Sequence, residues 1–389
     1  MRASKLPEVG TTIFTVMSRR ARELGALNLG QGFPDYDIDP RLTVLVGAAM
    51  SAGHNQYAPM EGAPELRARI ALKLSACYGI EADPEGEITV TQGATEAIYS
   101  AIQASLGPGE EAIAFDPSYD SYEPAVRLAG GRCVRLPLSP PDFRYDWDRV
   151  RAALTARTRL VLLNSPANPA CTVAGAADLE ALAGAIRGRD VLVLSDEVYE
   201  HVVFDGMRHH SVLTHAELRE KSFAVFSFGK TLHATGVRVG YCVAPRPLTA
   251  ELRKVHQFNT FSIAHPLQQA IAAYLAEQPD GWRELARFFQ AKRDRLRAAL
   301  ASSGFRLPPA QGTYFQLLDF GEFAPPDDRS FAERLLTEAG VATIPLSPFY
   351  ASPPALSFLR LCIAKRDSTL DEAAARLTRF AARLTGTPR

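Results

Sequence analysis

Six short apolar runs punctuate the middle of the chain: ITVT (88–91), EAIAFD (111–116), RLVLLN (159–164), VLVLSD (191–196), FAVFSF (223–228) and VGYCVA (239–244). Each is rich in β-branched or aliphatic residues, lacks polar alternation, and gives way to a polar or glycine-bearing turn. Strands buried on both faces read this way. The segments TEAIYSAIQASL and AADLEALAGAIRG between them carry helical spacing. Together they predict an α/β fold with a mainly parallel sheet flanked by helices. After about residue 280 the texture changes. GWRELARFFQAKRDRLRAALASSG predicts a long amphipathic helix ending at Gly304, a glycine suited to a helix C-terminus. Strands in TYFQLLDF and SFLRLCIA and two more helices follow, which predicts a smaller α+β domain.

Composition narrows the function. A chain of 389 residues exceeds one ordinary core and suggests a large domain with a smaller companion. Basic and acidic residues balance at 43 each, so the chain offers no general electrostatic attraction for nucleic acid or an anionic membrane. No apolar run reaches the ~18 residues of a membrane span, and the N-terminus lacks the apolar core of a signal peptide. The cysteines at 77, 133, 171, 242 and 362 are scattered and odd in number, which favours a reduced, cytoplasmic setting. The histidines of RHHSVLTH (208–215) lack metal-ligand spacing. They predict a solvated loop, and no metal is expected.

Chemistry concentrates where the predicted strands end, the edge at which open α/β sheets bind ligands. Collected there are Gly93-Ala94-Thr95, Tyr119, Asn164 to Asn168, Asp196 with Tyr199, and Ser227 to Lys230. The Gly229-Lys230-Thr231 sequence is not a nucleotide P-loop, because the leading glycine would fall at Ala224 within a strand-like run. A strand-to-helix turn at 93–95 suits a phosphate or is an ordinary turn. Arg238 suits the same anion or a surface ion pair. Asp196, closing an apolar run, is either a desolvated carboxylate that needs a cation or a cap for a helix at 197–201. Arg360 interrupts the apolar run SFLRLCI, as a buried anion binder or an edge-strand arginine facing water. The set describes a pocket for a phosphorylated aromatic ring, with Lys230 as its amine.

These residues resemble those of the fold-type I pyridoxal-phosphate enzymes, specifically the class I aminotransferases. The resemblance runs from NLGQGFPDYD (28–37) and NQYAPMEGAPELR (55–67) through FDPSYDSY, NSPANPA, SDEVYEH and SFGKTLHATGVRVGY to FLRLCIAK (358–365). The pattern S-x-G-K-x-x-x-x-T-G-x-R-x-G is highly specific. GATEA, FDPSYDSY and IPLS lean towards the methionine aminotransferases within the methionine and kynurenine branch. The resemblance implies a pyridoxal 5'-phosphate enzyme moving the amino group of methionine, or of aromatic amino acids or kynurenine, to a 2-oxo acid. The competing chemistry on the same fold is a C–S β-lyase. Implied roles are Lys230 as the cofactor-linking, proton-moving amine, Asp196 for the ring nitrogen, and Asn168 and Tyr199 for the ring oxygen. Ala94, Thr95, Ser227 and Arg238 are implied for the phosphate, joined by Tyr57 from the other subunit of a homodimer. Tyr119 stacks on the ring, while Arg360 and Gly32 take the substrate carboxylate. Phe14 stands where the kynurenine-preferring branch carries tryptophan, and no second arginine for a dicarboxylate side chain is evident. The expected division is a large domain at 43–282, with 1–42 and 283–389 forming an N-terminal arm and small domain. An aminotransferase-like half of a transcription regulator is disfavoured, because no basic helix-turn-helix region is present.

Overall fold

The structure, a computed structural model, describes residues 4–323 and 327–386. Seven strands form the main sheet in the spatial order Ile88–Thr91, Gly240–Val243, Ser222–Ser227, Leu192–Asp196, Thr158–Asn164, Glu111–Asp116 and Arg132–Pro137. Gly240–Val243 runs against its two neighbours, and the other adjacent pairs run parallel. Within Glu111–Asp116, Ile113 and Phe115 join the core on one face while Ala112 and Ala114 join that on the other. This two-sided burial is the reason such strands are continuously apolar rather than alternating.

All six predicted runs are strands, within a residue at their ends. The pattern missed the edge strand Arg132–Pro137, whose ends are exposed and whose RCVRLP sequence carries two arginines. The antiparallel course of Gly240–Val243 also has no signature in its sequence, because direction is set by the connection and not by the strand. The helix predicted to open at Thr95 opens at Gly93 and runs to Ser105. It lies over the second core through Ala97, Ile98, Ala101 and Ile102.

Beyond the sheet, Phe315–Asp319, Phe358–Cys362 and Ile344–Pro345 form a three-stranded antiparallel sheet, with Arg360 opposite Leu317 and Ile344. Leu27–Asn28 pairs in parallel with Val341–Ala342, and Cys362 N donates to Leu29 O at 2.7 Å. The N-terminal segment is thereby stitched onto the later strands. The long helix is shorter than its sequence predicts. A 3₁₀ turn at Gly281–Glu284 leads into Leu285–Leu300, and Gly304 (φ +85°) lies beyond its end in the following turn.

Candidate active site

Register brings the strand ends together. Asn164 pairs with Asp196, and Asp196 with Val225, so three parallel strands finish side by side. The Asn164 side chain locks this edge: its Nδ2 donates to Asp196 O at 2.9 Å and its Oδ1 accepts from Asn168 N at 2.8 Å. From Ser227 the chain enters the one-turn helix Phe228–Thr231, which carries Lys230. Alongside, Ile88–Thr91 leads into the start of Gly93–Ser105. A Cβ on Gly93 (φ +69°) would stand 2.9 Å from Arg238 Nη2, and one on Gly240 would stand 2.8 Å from Ala94 N. Glycine at both positions lets a guanidinium and a helix N-terminus converge, with free backbone N–H groups facing the same space.

One cavity is lined by Ala94, Thr95, Tyr119, Asn168, Asp196, Tyr199, Ser227, Lys230 and Arg238, together with Ile98, Asn164 and Val198. Nine residues singled out from the sequence therefore share a single wall. Lys230 is half-buried, and its Nζ donates to Tyr314 Oη at 2.7 Å. Burial lowers its pKa to about 8; Arg238 and Arg360 push the same way, against Cys362 and Asp196. Asp196 is buried, and among the described residues its carboxylate accepts only from Tyr122 Oη at 2.6 Å and Val198 N at 3.3 Å. Burial raises its pKa, and the Tyr122 hydrogen bond opposes that rise. Residues 197–201 form turns, so Asp196 caps no helix. Tyr199 is buried edge-on to Tyr314, with ring centroids 4.9 Å apart, and desolvation holds its phenol well above the usual range.

Arg360 lies behind this wall, 1% exposed. Its Nη1 donates to Asn168 Oδ1 at 2.6 Å and its Nη2 to Gly30 O at 2.9 Å, while buried Nε has no partner among the described residues. The guanidinium carbon sits 3.9 Å from the Phe315 ring centre, 5.0 Å from Phe14 and 5.4 Å from Phe349. Aromatic faces offset part of its desolvation cost, and the edge-strand reading falls. Gly32 is near: its carbonyl accepts from Tyr314 Oη at 2.6 Å. Tyr57 lies apart, 81% exposed and packed edge-on against Phe261.

Two sequence expectations need correction. Val237 and Val239, the apolar neighbours of Arg238, both read as buried in sequence, yet Val237 is only half-buried and Arg238 itself is exposed. The loop RHHSVLTH is not solvated throughout: Ser211, Val212 and Leu213 are buried, and the His209 ring bridges Tyr78 Oη (2.9 Å) and Ser165 O (3.1 Å). A single-sequence pattern cannot show that a distant helix supplies Tyr78 to that ring. Sequence reasoning also passed over Tyr122 and Tyr314 as functional side chains, and it collected Asn164 at the strand ends without giving it a role. Tyr122 lay within FDPSYDSY and Tyr314 within a strand-like run, where each reads as core.

The residues fit pyridoxal phosphate on their own chemistry. Lys230, Asp196 and Arg238 line one space, with Arg360 behind its Asn168 wall, and none of the four makes an ion pair among the described residues. A buried carboxylate and three cations left uncompensated call for a ligand with complementary charges. A phosphate suits Arg238 and the helix start, a protonated ring nitrogen suits Asp196, and a carboxylate suits Arg360.

The chain belongs to the class I and II aminotransferases, whose family model matches residues 25–377. It is a pyridoxal-phosphate-dependent aminotransferase of fold type I. It is 51% identical to the methionine aminotransferase of Escherichia coli strain K12 across 96% of this chain and 97% of that one. The crystal structure of YbdL from Escherichia coli, reported with a methionine aminotransferase function, superposes with a TM-score of 0.96 at 50% identity, covering 97% of this chain and 99% of that one. N-succinyldiaminopimelate aminotransferase from Mycobacterium tuberculosis superposes at 0.93 with 38% identity, covering 97% and 100%. Kynurenine–oxoglutarate transaminase 1 of Rattus norvegicus is 30% identical, over 98% of each chain. Nothing among these relatives favours the β-lyase. Among the described residues, no helix is long and apolar enough to cross a membrane.

Proposed function

We propose that this aminotransferase takes its amino group from methionine, with aromatic amino acids and kynurenine as secondary donors, and passes it to a 2-oxo acid in two ping-pong half-reactions. The observation that carries this reading is Arg360, a buried guanidinium that makes no ion pair among the described residues, flanked by Phe14 and Phe349. An α-carboxylate supplies the missing anion, and the rings beside it suit a thioether or aromatic side chain better than a second carboxylate.

When bound, pyridoxal phosphate supplies an aldehyde carbon for the amino group and a ring that withdraws electrons from the substrate Cα. Ala94, Thr95, Ser227 and Arg238 hold its phosphate, and Tyr119 covers a ring face. Asp196 keeps the ring nitrogen protonated. Tyr122 donates to this carboxylate and so opposes the rise in pKa that burial imposes on it. Asn168 gives its Oδ1 to Arg360, leaving its amide N–H groups for the ring oxygen alongside Tyr199. Lys230 takes a proton from the substrate Cα and returns one on the cofactor side; a pKa near 8 lets its amine serve as a base close to neutral pH. Arg360, with Gly32, orients the carboxylate.

In this reading the enzyme is a cytoplasmic homodimer, and Tyr57 reaches the phosphate of a second copy. Exposed Tyr57, Met50 and Phe258 are consistent with such a covered face. The large domain spans 43–282, with 1–42 and 283–389 as arm and small domain. A visible-absorbance titration of the cofactor-loaded enzyme with a panel of amino acids tests the donor. Methionine is expected to bleach the band and aspartate to leave it; a stronger response to aspartate, or none to any amino acid, refutes the assignment.

A further inference from the structure

Tyr314 lies on no list drawn from the sequence, yet it is the one side chain whose hydrogen bond holds Lys230 Nζ among the described residues. Its ring is 1% exposed and fixed edge-on by Tyr199 (4.9 Å) and Phe315 (5.0 Å). A phenol has one proton to donate. At 2.6 Å, that proton is committed to Gly32 O, so the oxygen faces Lys230 as an acceptor at 2.7 Å.

We propose that Tyr314 is a further catalytic residue: its hydroxyl oxygen receives the Lys230 amine whenever that amine is free, and ties it to the Gly32 backbone beside the substrate carboxylate. The proposal rests on the aminotransferase reading and adds a residue to it. Lys230 becomes an ammonium when it takes the Cα proton and an amine again when it returns one. Tyr314 neither gains nor loses a proton in that exchange. An acceptor oxygen favours the ammonium and holds it in one place between the two transfers. Gly32 O anchors the phenol from the loop that also meets Arg360 through Gly30 O. Substrate seating and lysine position are thereby linked mechanically. The other groups acting on this amine are Asp196, Arg238, Arg360 and Cys362, with Tyr199 under it at 5.6 Å.

Tyr314→Phe tests the assignment. We expect kcat with methionine to fall roughly tenfold to a hundredfold, the loss of one hydrogen bond to a charged group, while KM changes less than threefold. The isotope effect with Cα-deuterated methionine should increase, because proton transfer becomes slower than the other steps. In cofactor-free protein, the pH dependence of Lys230 modification, read by peptide mapping, should shift to lower pH by about one unit. A fluorotyrosine at 314 keeps the shape but weakens the acceptor, and should fall between wild type and phenylalanine on both readouts. Wild-type kcat, an unmoved or raised Lys230 titration, or a loss confined to KM overturns the proposal. Lys230→Ala separates the two levels. If it is inactive while Tyr314→Phe matches wild type, only the Tyr314 role falls; if it retains turnover, the lysine assignment falls and takes the Tyr314 role with it.

Discussion

Arg360→Lys isolates what the fork of the guanidinium contributes. The substitution keeps one positive charge on the same strand, between Leu317 and Ile344. In the native site, two Nη groups already serve Asn168 Oδ1 (2.6 Å) and Gly30 O (2.9 Å), and Nε–H is buried without a partner. A guanidinium has five N–H donors in a fixed plane, so three remain for an α-carboxylate. A lysine ammonium has three in all and a shorter reach. After serving Asn168 and Gly30 as arginine does, it has a single contact left where arginine can present a parallel pair. The loss is one charge-assisted hydrogen bond, about 1.5–3 kcal/mol. That converts to a KM raised roughly tenfold to a hundredfold. The carboxylate is common to every α-amino acid, so the factor should be similar for methionine, phenylalanine and kynurenine. Steady-state kinetics on all three donors, with thermal unfolding to confirm an intact fold, measure it. An unchanged KM in a folded variant refutes the reasoning. So does a penalty seen with one donor alone, which would place Arg360 at the side chain instead of the carboxylate.

Lys230→Ala is expected to abolish transamination while retaining part of the cofactor through the phosphate contacts, as equilibrium dialysis against pyridoxal phosphate will show. Gly93→Ala forces a side chain into a left-handed conformation and within 2.9 Å of Arg238 Nη2; cofactor affinity should drop at least tenfold, by about 1.4 kcal/mol or more, in the same dialysis assay. The cofactor-free enzyme should gain stability between pH ~8 and ~10.5 through Lys230. Its pKa is lowered on folding, so the unfolded chain binds more protons in that window and stability rises with pH across it. The full gain is on the order of 3 kcal/mol. Urea unfolding of wild type and Lys230→Met at both ends of the window should show the wild type improving relative to the variant.

Much of the architecture was legible because buried parallel strands cannot hide: six apolar runs gave six strands of the main sheet. The site was legible because its residues cluster at the ends of those runs, where Asp196 and Lys230 break an apolar pattern. Arg360 was legible for the same reason, a charge inside SFLRLCI. What stayed hidden depended on long-range partners. Tyr122 reaches Asp196 across 74 residues of sequence and Tyr314 reaches Lys230 across 84, and neither phenol looks different in sequence from one that packs in a core. Likewise RHHSVLTH reads as polar loop until Tyr78 is seen to bond its first histidine, His209.

The sequence by itself thus determined the layered α/β plan and the set of chemical groups, because hydrophobic periodicity and out-of-place charges are local properties. Only the tertiary structure decided which groups compensate one another. Strand register put Asp196 beside Asn164, backbone closeness at Gly93 and Gly240 brought Arg238 over the helix start, and folding sealed Arg360 among aromatic rings with no ion pair among the described residues. Electrostatic need is a property of surroundings, and surroundings exist only once the chain has folded.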